Sequence, residues 1–129
     1  MIEGTILGNT PSKSNCYRII SMRGKNGKGH SSLAKTSALK KYEDSFYMQV
    51  GKYRSAMIDQ YFDFEIDVYY PSNRSDLDNS LKVVLDCLQK SKVIKNDNKC
   101  TQILARKFID KLNPRIEFKI KLAQDGQAM

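Results

Sequence analysis

The chain has 129 residues, 40% of them hydrophobic, which is enough for one core and so for a single domain. No run approaches the ~20 apolar residues of a membrane span, and the start Met-Ile-Glu-Gly lacks the basic and apolar regions of a secretion signal, so a cytoplasmic protein is expected. The net charge of +8 suits a polyanionic partner, while one histidine and three separated cysteines (Cys16, Cys87, Cys100) fit neither a zinc ribbon nor a disulfide framework.

In chain order, residues 1–8 alternate loosely and predict a first strand. Residues 9–15, with Thr10-Pro11-Ser12, read as a turn, and 17–22 as a second strand. Gly24, Gly27 and Gly29 interleave with Lys25, Lys28 and His30, which predicts a flexible basic loop over 24–32. P-loop spacing is missing; the loop suits phosphate contact, but an ordinary mobile surface loop is at least as good a reading of it. Over 36–58, Leu39, Tyr42, Phe46, Val50, Tyr53 and Met57 recur at steps of three and four, predicting one helix long enough to offer a dimer surface.

The clearest strand is 61–70, where Phe62, Phe64, Ile66, Val68 and Tyr70 alternate with Asp63, Glu65 and Asp67. A second helix is predicted over 77–90, with Leu81, Val84, Leu85 and Leu88 facing inward and Cys87 a small core residue. Asn96-Asp97-Asn98 is a turn, strands follow over 101–109 and 115–122, and 124–129 is a frayed tail. The fold class is α/β (α+β): a single domain over 1–129, with a mixed β-sheet of four to five strands packed with two main helices.

Charge is uneven along this order. Residues 1–60 carry ten Lys and Arg against four Asp and Glu, and residues 61–129 twelve against ten. A basic lobe joined to an acid-bearing one suits a protein that holds a polyanion against a metal centre, although a generically basic protein has the same count. The basic candidates for DNA phosphates are Lys13, Arg18, Arg23, Lys25, Lys28, Lys35 and Arg74.

The acids concentrate in Arg74-Ser75-Asp76-Leu77-Asp78-Asn79-Ser80-Leu81-Lys82, which follows the best strand and opens a helix. Asp76 is placed to cap that helix, and Asp78, Lys82 and Asp86 share its polar face. Carboxylates from different elements can hold divalent ions for phosphodiester hydrolysis, and a nearby lysine can stabilise the leaving oxygen. Such an oxygen set favours magnesium, manganese or calcium over zinc. Asp97 and Asp86 compete as the third ligand. The residues alone favour, by a small margin, a capped amphipathic helix with an Asp78–Lys82 surface pair.

The run Asp76-Leu77-Asp78-Asn79, then Lys82, Asp86 and Leu88, then Asp97, resembles the D-L-D-N…K…D-x-L…D signature of the RusA family of Holliday-junction resolvases, with matching gaps. Upstream, Pro11-Ser12-Lys13-Ser14-Asn15 is similar to a Pro-Ser-x-Asn-like segment of that family. The resemblance implies that Asp76, Asp78 and Asp97 are metal-binding acids and Lys82 a catalytic lysine. It also implies a homodimer that cuts four-way DNA junctions by paired symmetric nicks, using magnesium or manganese, in DNA recombination and repair, with prophage DNA processing as the implied setting. Asn96-Asp97 departs from the two adjacent acids of many members. A catalytically silent junction binder and a nuclease for other branched DNA remain as alternatives.

Overall fold

The computed structural model describes residues 1–11, 17–23 and 29–123. In chain order these form β1 (Ile2–Leu7), β2 (Tyr17–Arg23), β3 (Gly29–Lys35), α1 (Ser37–Gln49), β4 (Phe62–Tyr70), α2 (Leu77–Lys90), β5 (Cys100–Ile109) and β6 (Arg115–Leu122). Four strands make one mixed sheet in the order β1-β6-β4-β5, in which only β4 and β5 run parallel. A parallel neighbour needs a crossover, and α2 supplies it.

β4 organises the core because its alternation is strict. Phe62, Phe64, Ile66, Val68 and Tyr70 are buried, and the residues between them face the other side. Phe118 and Ile120 of β6, with Ile6 of β1, extend this apolar face, and α1 and α2 close it with Leu39, Tyr42, Phe46, Val84 and Leu88. Each large side chain fully removed from water contributes about 1.5–3 kcal/mol. Gly4 is the one position where β1 must come close: a Cβ there would lie 2.7 Å from the Phe118 ring. The opposite face of the sheet carries charge. Arg106 pairs there with Glu65 and Asp67, and Arg115 with Asp110 and Glu117.

The expected elements are found at β1, β2, β4, α2, β5 and β6, with two corrections. The helix expected over 36–58 stops at Gln49, because Gly51 takes φ +56° and a 3₁₀ turn, Gly51–Tyr53, follows. Ser55 and Met57 also adopt left-handed backbone, so the chain leaves the helix path although Val50 stays buried. The loop expected over 24–32 is shorter: Gly29 to Ser32 belong to β3, which pairs antiparallel with β2. This two-stranded ladder is separate from the four-stranded sheet. The centre of the loop and the tail 124–129 lie outside the described residues. Among those described, no helix is long and apolar enough to cross a membrane.

Candidate active site

The acids of the α2 start owe their place to the end of β4. Tyr70 is buried there, and its hydroxyl lies 2.5 Å from Ser80 Oγ and donates to the Asp76 carbonyl at 3.1 Å. Ser80 is itself buried, so strand end and first helical turn are joined through a hydroxyl pair shielded from water. Burial raises the Tyr70 pKa, the Ser80 bond opposes that rise, and the charges of Asp78 and Asp76 add to it. The phenol therefore stays a neutral donor beneath the two carboxylates.

Asp76 is the N-cap of α2, but its side chain makes no capping hydrogen bond; its carbonyl accepts from Asn79 N–H at 3.2 Å. Asp78 follows in the first turn. Both residues are exposed, and among the described residues neither carboxylate takes part in a hydrogen bond or ion pair. The helix dipole eases this pair of charges, and a cation would ease it further.

Past α2 the chain doubles back. Ser91 Oγ donates to the Cys87 carbonyl at 2.8 Å, Lys92 turns at φ +62°, and Val93 and Ile94 drop into the core. Ile94 bridges to Ile58, and the 3₁₀ turn Asp97–Lys99 then lies along the flank of α2. Gln89 Oε1 accepts the Asp97 N–H at 3.0 Å, and Lys82 Nζ reaches Asp97 Oδ2 at 3.0 Å and Asp86 Oδ1 at 3.1 Å. The bonds to Asp97 and then Asp86 raise the Lys82 pKa, so its ammonium is firmly charged. The Asp78–Lys82 surface pair allowed by the sequence is replaced by these two contacts.

The structure thus makes two groups of the predicted residues. Asp76 and Asp78 stand together at the helix start, and Lys82 joins Asp97 and Asp86 on its flank. Among the described residues, no three histidine, cysteine or acid side chains come close enough to hold one metal ion. The donor chemistry at Asp76 and Asp78 fits a hard divalent cation, with oxygen ligands and, among the described residues, no protein cation in competition. Asp97 is not gathered with them within one chain.

Of the basic candidates, Arg74 is exposed in the turn before Asp76. Lys35 is engaged with Glu43 at 3.1 Å, a carboxylate that Lys90 also binds. Burial pushes the Glu43 pKa up, but the bonds from Lys90 and Lys35 outweigh this and hold it below its ordinary 4.5. Arg18 and Arg23 fall on β2, and Lys13, Lys25 and Lys28 lie outside the described residues. A hollow of about 480 Å³ lined by Glu3, Glu65, Arg106 and Lys119 lies on the charged face of the sheet, away from these acids. DNA is too large to need such a pocket, and the exposed helix start is the better candidate.

Sequence reasoning missed Tyr70, Ser80 and Gln89 as supports. Ser80 carried a signal, a hydroxyl on the apolar side of the helix, and Gln89 lies two turns beyond Lys82 on the same face. None of the curated proteins compared matches the chain. The family described as Endodeoxyribonuclease RusA matches residues 20–121, a span that includes both groups of acids, β4 and α2. With most of its length matched, the chain belongs to the RusA family of Holliday-junction-resolving endodeoxyribonucleases.

Proposed function

We propose that this protein is a magnesium- or manganese-dependent nuclease that resolves four-way DNA junctions by paired symmetric nicks, working as a cytoplasmic homodimer in DNA recombination and repair, in the setting of prophage DNA processing. The observation that carries the reading is the pair of exposed carboxylates, Asp76 and Asp78, which among the described residues have no cationic partner, at a helix start within the matched span. In this reading Asp76 and Asp78 hold the divalent ion, and Asp97 is the third ligand. A bound ion would activate water and offset the negative charge that develops on the phosphoryl oxygens.

The chain's own residues do the rest. Tyr70 and Ser80 fix the helix start under the two acids, and Lys82, kept charged by Asp97 and Asp86, offers its ammonium to the scissile phosphate or the leaving oxygen. Arg74 and the basic strands hold backbone phosphates, which makes binding salt-sensitive and leaves selection to junction shape. Two equivalent sites in a C2 dimer face two equivalent strands, which accounts for paired nicks.

The separation of Asp97 from the other acids in one chain favours one second reading, a junction binder that does not cut. Cleavage of a labelled four-way junction with and without magnesium, comparing wild type with Asp78→Asn, decides between them. Metal-dependent symmetric nicks that vanish in the variant while binding persists support the nuclease. Tight binding without cutting in magnesium or manganese supports the binder, and cutting that survives Asp78→Asn places the site elsewhere.

A further inference from the structure

β5 ends the sheet, so among the described residues the backbone groups along its outer side meet no further strand. Sheet edges usually carry outward charge, proline or a bulge, because a bare edge recruits other strands. Here the edge carries Ile103, Leu104, Phe108 and Ile109, exposed by 43%, 50%, 40% and 51%. The two charges in this stretch lean back over their own chain. Arg106 is held by Glu65 and Asp67, and Lys107 Nζ lies 3.4 Å from the Asn73 carbonyl.

We propose that this edge is where a second copy of the chain docks, its β5 running antiparallel to the first across a two-fold axis centred on Arg106. The proposal rests on the homodimer of the proposed function and names its surface. A two-fold relation between antiparallel strands requires the axis to stand perpendicular to the sheet. Residues opposite one another then share a face, and their numbers keep a constant sum.

One register satisfies both apolar pairs: Ile103 faces Ile109 of the second copy, and Leu104 faces its Phe108. The faces agree as well. Ile103 and Ile109 pair with Phe64 and Tyr70 on the helix side of the sheet, whereas Leu104 and Phe108 pair with Glu65 and Tyr69 on the other side. Arg106 meets its own copy on the axis, and the Glu65 and Asp67 of each chain offset that like-charge contact. Apolar side chains matched in this way on both faces fit a copy of the same strand, and an unrelated partner has no reason to share that symmetry.

The test is solution mass by light scattering and sedimentation, with circular dichroism melts to confirm folding. Wild type is expected at twice 14.8 kDa. Leu104→Lys and Phe108→Glu each set a charge against an apolar side chain at two places in the seam, and each alone is expected to weaken association by about 100-fold. The double variant L104K/F108E sets opposite charges across the seam and restores the dimer. Single variants that remain dimeric overturn this surface while leaving the homodimer standing, and a monomeric wild type overturns both. A double variant that stays monomeric overturns the register. Junction cutting by wild type reads the nuclease assignment independently of all three.

Discussion

On the charged face of the sheet, Glu65 and Asp67 share Arg106, and Asp110 and Glu117 share Arg115, so every one of these carboxylates has a cation. At the start of α2, Asp76 and Asp78 stand two residues apart and share none among the described residues. The first arrangement is electrostatically complete and asks nothing of a ligand. The second holds two like charges together, supported from below by a neutral phenol, and would be relieved by a cation from outside. In the proposed function, this contrast separates acids that build the fold from acids that hold a metal ion better than a count of charges does.

The largest test of that contrast is Asp78→Asn. It is expected to lower junction cleavage by about 10²–10³-fold, the scale of one lost transition-state contact, while changing stability by no more than about 0.5 kcal/mol, because the side chain is exposed. Denaturant melts and cleavage rates on the same preparation check both halves, and a large loss of stability would break the comparison. Gln89→Leu removes the acceptor that holds the Asp97 turn. It is expected to lower cleavage by about 10-fold, as losing the support of a ligand does, with junction affinity unchanged in a binding titration.

Tyr70→Phe sharpens the boundary between the two kinds of group. Its ring keeps the packing, but Ser80 loses its buried partner, so a loss of about 1–2 kcal/mol is expected in chemical denaturation. Slower cleavage should accompany it. The smallest effect belongs to Glu43→Gln, expected to cost about 1 kcal/mol or less and to leave cleavage untouched. Because Lys90 and Lys35 hold the Glu43 pKa below 4.5, its contribution is fully present above that pH and fades as pH falls through the lower folded value. Wild type and variant should therefore converge in acid, and melts at a series of pH values below neutrality check this.

How much could be read in advance follows the range of the forces involved. The alternation in β4 and the apolar stripe of α2 are local patterns, and both elements lie where the sequence places them. Asp76 and Asp78 share a site because they are neighbours in the chain. The end of α1 was misread because an apolar period runs on through Val50 and Tyr53, whereas the backbone turns at Gly51. β3 was hidden by its flanking glycines and lysines. The contacts of Lys82 and Gln89 with Asp97 depend on a reversal after Ser91 that buries Val93 and Ile94, and no spacing in the sequence encodes that return.

The sheet order has a consequence for how the chain comes to be folded. β6, the last of the described strands to be synthesised, lies between β1 and β4, so β1 has no neighbour in the sheet until residues 115–122 are available. β5 in turn joins β4 only after the α2 crossover has formed. Pairings of such long sequence separation place folding toward the slower end of small domains. During synthesis β1 must wait unpaired, and the Gly4 backbone closes over the Phe118 ring only when the final strand arrives.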